Sequence, residues 1–183
     1  MGGFPAYTYT NQAGTATSFA TSSSPIVINT DRMWTQYSII GTIFNTTSTV
    51  SILPLEQSFD QSTVNGFDYA NFAFASTVSG FQLGKSGTAL TQSIKPIRLQ
   101  SIVSIAGPIS IYGSNITTDN ALTTTGTSDD ITMQATGTVT NSAALTTTGA
   151  TSNVLITGTN LSTAAITATG NVTMTGSGTV TSS

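Results

Sequence analysis

The sequence predicts an all-β protein, and three observations carry the prediction. Charged side chains make up only 6% of the 183 residues while hydrophobic ones make up 38%. An ordinary soluble domain holds roughly four times that share of charge, so the surface here must be wetted by the hydroxyls and amides of Thr, Ser, Asn and Gln. Thr, Val and Ile favour extended backbone, because a branched Cβ packs well on a pleated surface. Finally, the C-terminal stretch repeats itself. ALTTTG at 121–126 returns at 144–149, and the same beat continues as VLITG (154–158), ITATG (166–170) and VTMTG (172–176).

Residues 1–24 are Gly, Thr, Ser and Ala with Phe4, Tyr7, Tyr9 and Phe19 spaced among them. Such a segment has too few apolar side chains for a core of its own. It reads either as a disordered terminus or as an extended arm on a neighbouring subunit. In the second reading Phe4, Tyr7, Tyr9 and Phe19 are the interaction residues, anchoring by their rings.

From Pro25 the pattern changes to strands. PIVINT (25–30), WTQYSIIGTIF (34–44) and TVSILPLEQSF (49–59) each read as one. Pro54 cannot donate to a ladder and marks an edge or a bulge. Asn65-Gly66 is a tight turn within the loop 60–68. YANFAFAS (69–76), a Gly-rich segment (78–90), IKPIRLQSIVSI (94–105) and ISIYGSN (109–115) follow. Short strands between Gly, Pro and Asn turns predict a β-sandwich or jelly-roll over 25–115. Its expected core is Trp34, Tyr37, Phe44, Phe59, Phe72, Phe74 and Phe81.

Residues 116–183 form the repetitive tail. The two ALTTTG copies start 23 residues apart (121 to 144), and Gly149 and Gly170 lie 21 apart. A period near 22 with short strands predicts a β-solenoid, or an intertwined trimeric β shaft. Leu, Ile, Val and Met are expected inside and Thr outside, with Ala143, Ala144, Ala164 and Ala165 at a narrow shared axis. Two or three rungs alone are marginal, so a homotrimer is expected to cover the faces and close the edges. Glycine does not recur every third residue, which excludes a collagen-like helix.

Chemistry is sparse. The chain has no His and no Cys, which removes the usual general base, the commonest zinc ligand, thiolate nucleophiles and disulfides. Its four cations, Arg32, Lys85, Lys95 and Arg98, cannot neutralise a run of phosphates or an anionic bilayer, so neither nucleic acid nor membrane is an expected partner. Lys85 beside Ser86 reads as a solvated loop. Glu56 and Asp60 would stand roughly 13 Å apart in a strand, long for glycosidase work. Asp129-Asp130 reads as a turn, which would hold Ca²⁺ only if a three-fold axis gathered several carboxylates. Sequons at Asn45, Asn115, Asn160 and Asn171 are close to chance in this composition. No catalytic, cofactor-binding or metal residue is assigned. MGGFPAYTYT lacks the basic and apolar regions of a signal peptide, so if Met1 is the natural start no standard secretion is expected.

VSILPLEQSFDQSTVNGFDYA (50–70) followed by KPIRLQSIVSIAGPISIYGSN (95–115) resembles a small β-sandwich module of tailed-bacteriophage virion proteins. The matching pieces are Leu55 to Asp60 with Gly66-Phe67, then Ile97-Arg98-Leu99-Gln100, Gly107 and Ile109 to Gly113, within residues 33–115. The Gln61 to Asn65 insertion departs from the module's turn. The tail resembles, in composition, Thr/Gly-rich repeats of phage fibres and decoration proteins. The resemblance implies a non-enzymatic accessory protein: a capsid decoration, cement or head-fibre subunit, often trimeric, on the virion surface beside the major capsid protein. A secreted adhesin or filament subunit fits the same composition.

Overall fold

The computed structural model describes residues 18–21, 23–29, 42–54, 67–69, 72–86 and 96–183. Every regular element among them is a strand. In chain order these are β1 (Ser18–Ala20), β2 (Ile26–Asn29), β3 (Thr42–Asn45), β4 (Thr49–Leu53), β5 (Phe67–Tyr69), β6 (Phe72–Phe74) and β7 (Gly80–Leu83). Next come β8 (Ile97–Leu99), β9 (Val103–Ile105), β10 (Ile109–Gly113), β11 (Ile116–Thr118), β12 (Leu122–Thr124) and β13 (Ile131–Ala135). The last are β14 (Val139–Asn141), β15 (Leu145–Thr147), β16 (Val154–Gly158), β17 (Leu161–Thr163), β18 (Ile166–Thr167), β19 (Val172–Gly176) and β20 (Val180–Ser182).

The chain winds these strands into a parallel β-solenoid. One face is a seven-stranded sheet, β2-β4-β7-β10-β13-β16-β19, and a second is β5-β8-β11-β14-β17-β20. The third is β9-β12-β15-β18, with β1-β3-β6 as a separate three-stranded sheet near its start. β6 packs beside β9, and the Phe72 amide donates to Ser101 Oγ at 2.9 Å. Equivalent residues stack turn upon turn: Ile109 pairs with Ile131, Ile131 with Val154 and Val154 with Val172. Successive turns are therefore 22 (109 to 131), 23 (131 to 154) and 18 (154 to 172) residues long, matching the predicted period until the last turn shortens.

Between a sandwich and a solenoid, the strands within 25–115 follow the solenoid. β2 pairs parallel with β4, β4 with β7 and β7 with β10, and the same sheet runs on into the tail. Gly, Pro and Asn turns mark solenoid corners as readily as hairpins, and the sequence signal does not distinguish parallel from antiparallel neighbours. β4 ends at Leu53, immediately before Pro54, where the ladder loses its donor.

Alternation fills the interior. Ile26, Val50, Phe81, Ile109, Ile131 and Val154 form one buried column. Ile52, Leu83, Ile111, Met133 and Ile156 form the next. Ile97, Ile116, Val139 and Leu161 line the second face, while Val103, Leu122 and Leu145 line the third. Each such side chain contributes roughly 1.5–3 kcal/mol by leaving water. The early turns use rings instead: Phe19 stacks on Phe44 at 5.6 Å, Phe44 on Phe74 at 5.4 Å, and Phe74 lies 4.8 Å from Phe81. Of the expected aromatic core, Phe44, Phe72 and Phe81 are buried and Phe74 is packed against them. Trp34, Tyr37 and Phe59 lie outside the described residues.

Candidate functional surface

A solenoid offers its lateral faces and its corners, and here the ALTTTG repeat builds both. Leu122 and Leu145 point inward and Thr123 and Thr146 outward. The second Thr of each copy returns to the interior, so Thr124 and Thr147 are buried. Their hydroxyls are matched to the corner that follows: Thr124 Oγ1 donates to the Asp129 carbonyl at 2.9 Å, and Thr147 Oγ1 to the Ser152 carbonyl at 3.1 Å. A buried hydroxyl so placed closes the turn on itself, and at Ser152 it shares the carbonyl with the Gly170 amide of the next turn, which donates at 2.9 Å. The third Thr looks back along the axis. Thr125 Oγ1 donates to the Ile105 carbonyl at 3.2 Å and Thr148 Oγ1 to the Thr124 carbonyl at 3.3 Å.

The glycine that ends the motif is required by close approach. A Cβ on Gly149 would stand 2.2 Å from the Gly126 carbonyl oxygen and 2.4 Å from Ser152 Oγ. At Gly126 it would meet the Asp129 carboxylate and the Ala106 carbonyl. Successive corners thus nest backbone on backbone. Side-chain amides and one carboxylate continue the ladder around each turn. Asp130 Oδ1 accepts from the Asn153 amide at 2.7 Å, and Asn153 Oδ1 accepts from the Asn171 amide at 2.8 Å. At another corner Asn115 Oδ1 accepts from the Thr138 amide at 2.7 Å, and Asn160 Oδ1 from the Thr179 amide at 3.0 Å. The sequon asparagines Asn115, Asn160 and Asn171 are therefore parts of the rung-to-rung bonding.

Inside, the second face carries a polar column of Thr118, Asn141 and Thr163 beneath Leu99. Thr118 Oγ1 donates to Asn141 Oδ1 at 2.5 Å, and Asn141 Nδ2 donates to the Ala143 carbonyl. Thr163 Oγ1 is buried without a hydrogen-bond partner. The expectation that threonine stays outside therefore holds only for alternate positions. Ala143, Ala144, Ala164 and Ala165 are half-buried or exposed, at the corners leading into β15 and β18 and not on an inner axis.

Among the expected interaction residues, Phe19 is half-buried and stacks on Phe44 of its own chain. Phe4, Tyr7 and Tyr9 lie outside the described residues, as do Glu56 and Asp60. Lys85 is half-buried beside exposed Ser86. Asp129 and Asp130 sit at the corner between β12 and β13. Burial, and then the neighbouring Asp130 carboxylate, hold the Asp129 carboxyl above its ordinary pKa. Arg98 Nε meets Asp119 Oδ2 at 2.7 Å across neighbouring turns, a partly exposed pair worth at most about 1 kcal/mol. Among the described residues no three His, Cys, Asp or Glu side chains gather to hold a metal ion, and no helix is long and apolar enough to cross a membrane.

Fold and surface together define the chain as a parallel β-solenoid protein whose rungs are bonded through threonine and asparagine. No protein-family model, curated protein or solved structure matches it.

Proposed function

We propose that this chain is a non-enzymatic structural protein, a stiff β shaft displayed on a virion surface as a capsid decoration or short fibre subunit and assembled as a homotrimer. One observation carries the reading: a single sheet runs in parallel register from Ile26 to Gly176. Such a stack resists bending, because each turn is bonded to the next by backbone, hydroxyl and amide at once. The scarcity of charge and the resemblance of residues 33–115 to virion accessory proteins support the placement. Peptides of the chain in density-purified virions, released with the capsid surface layer, are the expected result. Their absence from virions removes the virion reading.

A second reading is a secreted adhesin or filament subunit. The parallel pairing of β8 with β11 and of β10 with β13 favours it, since β8 and β10 carry the virion resemblance yet continue the shaft. Protease shaving of intact host cells separates the two readings: release of these peptides from uninfected cells supports the adhesin.

A further inference from the structure

The two ends of the solenoid differ. At the end built by β18, β19 and β20, each strand is the last member of its sheet, so three strand edges lie open around one turn. The inward columns continue into that turn by register: Val172 on Val154, Met174 on Ile156, Val180 on Leu161 and Ile166 on Leu145. The residues beneath are at most 1% exposed, whereas Val172 and Val180 are 48% and 45% exposed; Met174 and Ile166 are half-buried. At the opposite end the same column finishes covered. Ile26 is 7% exposed there, and Phe19 of β1 stacks on Phe44. Proteins ordinarily blunt an open edge with charge, proline or a bulge. β18, β19 and β20 carry no charged side chain and no proline, and β19 keeps unbroken register with β16 from Val172 to Gly176.

We propose that this end binds the same end of a second copy of the chain. An extended peptide pairs with one edge and leaves the other two, and the interior between them, open. A second solenoid end of the same cross-section meets all three edges at once. The step of the winding fits this partner. Each turn climbs one strand spacing, about 4.8 Å, so β18 stands lowest, β19 midway and β20 highest. A two-fold axis perpendicular to the shaft and through β19 brings the copy's β20 over β18, its β19 over β19 and its β18 over β20. The gap is then equal at all three edges, and the strands meet antiparallel, a pairing that supplies well-aligned hydrogen bonds. Val172, Met174 and Val180 face their counterparts and leave water, and two ends without charged side chains do not repel each other. Head-to-tail stacking lacks this match, because Ile26 is already covered at the other end. The contact is isologous and closes at two shafts. It leaves the outer faces free, so it is independent of lateral association and of the virion reading.

The test reads length, which end pairing doubles and lateral association leaves unchanged. A contact one turn wide is small and forms at higher concentration than a contact along the shaft. Small-angle X-ray scattering is therefore recorded on the full chain over a concentration series that extends above the range of lateral assembly. Beside it run Val172→Lys, Val180→Lys and, at the other end, Val27→Lys, a position 54% exposed. Wild type and Val27→Lys are expected to show a maximum dimension that rises about twofold and then stops. Val172→Lys and Val180→Lys, with unchanged far-UV circular dichroism, are expected to keep the single length at every concentration. A wild type that never lengthens overturns the proposal. So does growth past twofold, which marks open head-to-tail stacking. Lengthening that survives both Val172→Lys and Val180→Lys, or that is lost in Val27→Lys, places the contact elsewhere and also overturns it.

Discussion

Two interior threonines in neighbouring turns face opposite energetic situations. Thr147 Oγ1 donates to the Ser152 carbonyl and accepts from the Thr169 amide, so Thr147→Val breaks both bonds and leaves the carbonyl with the Gly170 amide alone. A loss of about 1–2 kcal/mol is expected, read as a lower urea midpoint at unchanged slope. Thr163 Oγ1 has been dehydrated with nothing in exchange. Thr163→Val keeps the shape and removes the unpaired group, so a gain of about 1 kcal/mol is expected. A lower midpoint for Thr163→Val would show that its hydroxyl is satisfied in solution. Asp129 adds a pH dependence with a definite sign. Its pKa is raised in the fold, so the folded chain binds this proton more tightly than the unfolded one. The associated stability is present below the unfolded pKa and is lost as pH rises through the folded value. Asp129→Asn should therefore stabilise the chain at neutral pH, with its advantage over wild type vanishing as the buffer is taken acidic. An advantage that grows toward acid reverses the assignment.

At the scale of the element, the turn is the unit, and neighbouring turns interact mainly with each other. Deleting residues 131–153 removes one complete turn and joins Asp130 to Val154. Val154 then stacks on Ile109, Leu161 on Ile116 and Ile166 on Leu122, and Asp130 is placed to accept from the Asn171 amide. The shortened chain is expected to fold with its strand signal retained and its unfolding midpoint lowered. Deleting 131–142 alone, half a turn, should abolish cooperative unfolding because it puts β15 under β10. Equal tolerance of both deletions would mean that register does not organise the fold. This unit is legible in ALTTTG, whose 23-residue spacing (121 to 144) predicts the turn length. The inward placement of Thr124 and Thr147 also follows from alternation beginning at the leucine, yet composition draws the eye to an all-threonine exterior. The path of 25–115 was harder to read. Its turns of 24 (26 to 50) and 31 (50 to 81) residues vary too much to announce a period, and its aromatic columns look like a sandwich core. The outward column of Thr123, Thr146 and Thr167 needs the register of β12, β15 and β18 to become visible, because the sequence does not show which neighbours align.

For the whole molecule the question is where one chain stops being sufficient. Ile109, Ile111, Ile131, Met133 and Ile156 are fully buried within a single chain, so the interior needs no partner to close it. The last turn differs: Val172 and Val180 are 48% and 45% exposed. A homotrimer of such chains would join through outer faces and not by sharing a core, and that arrangement has a thermodynamic signature. Light scattering should report a trimer at high concentration that dilutes to a folded monomer, with the far-UV spectrum unchanged. Because the core is intramolecular, the midpoint for loss of strand signal should vary little with concentration once the monomer dominates. Mass action makes the opposite demand of an intertwined shaft, whose midpoint falls steadily on dilution because dissociation and unfolding are one event. Ile131→Ala supplies the internal control, since it removes buried methyl groups at a cost of about 2–5 kcal/mol. It should lower the unfolding midpoint of the diluted monomer as much as that of the trimer. A variant that shifts the trimer alone would place Ile131 at a shared interface and restore the intertwined architecture.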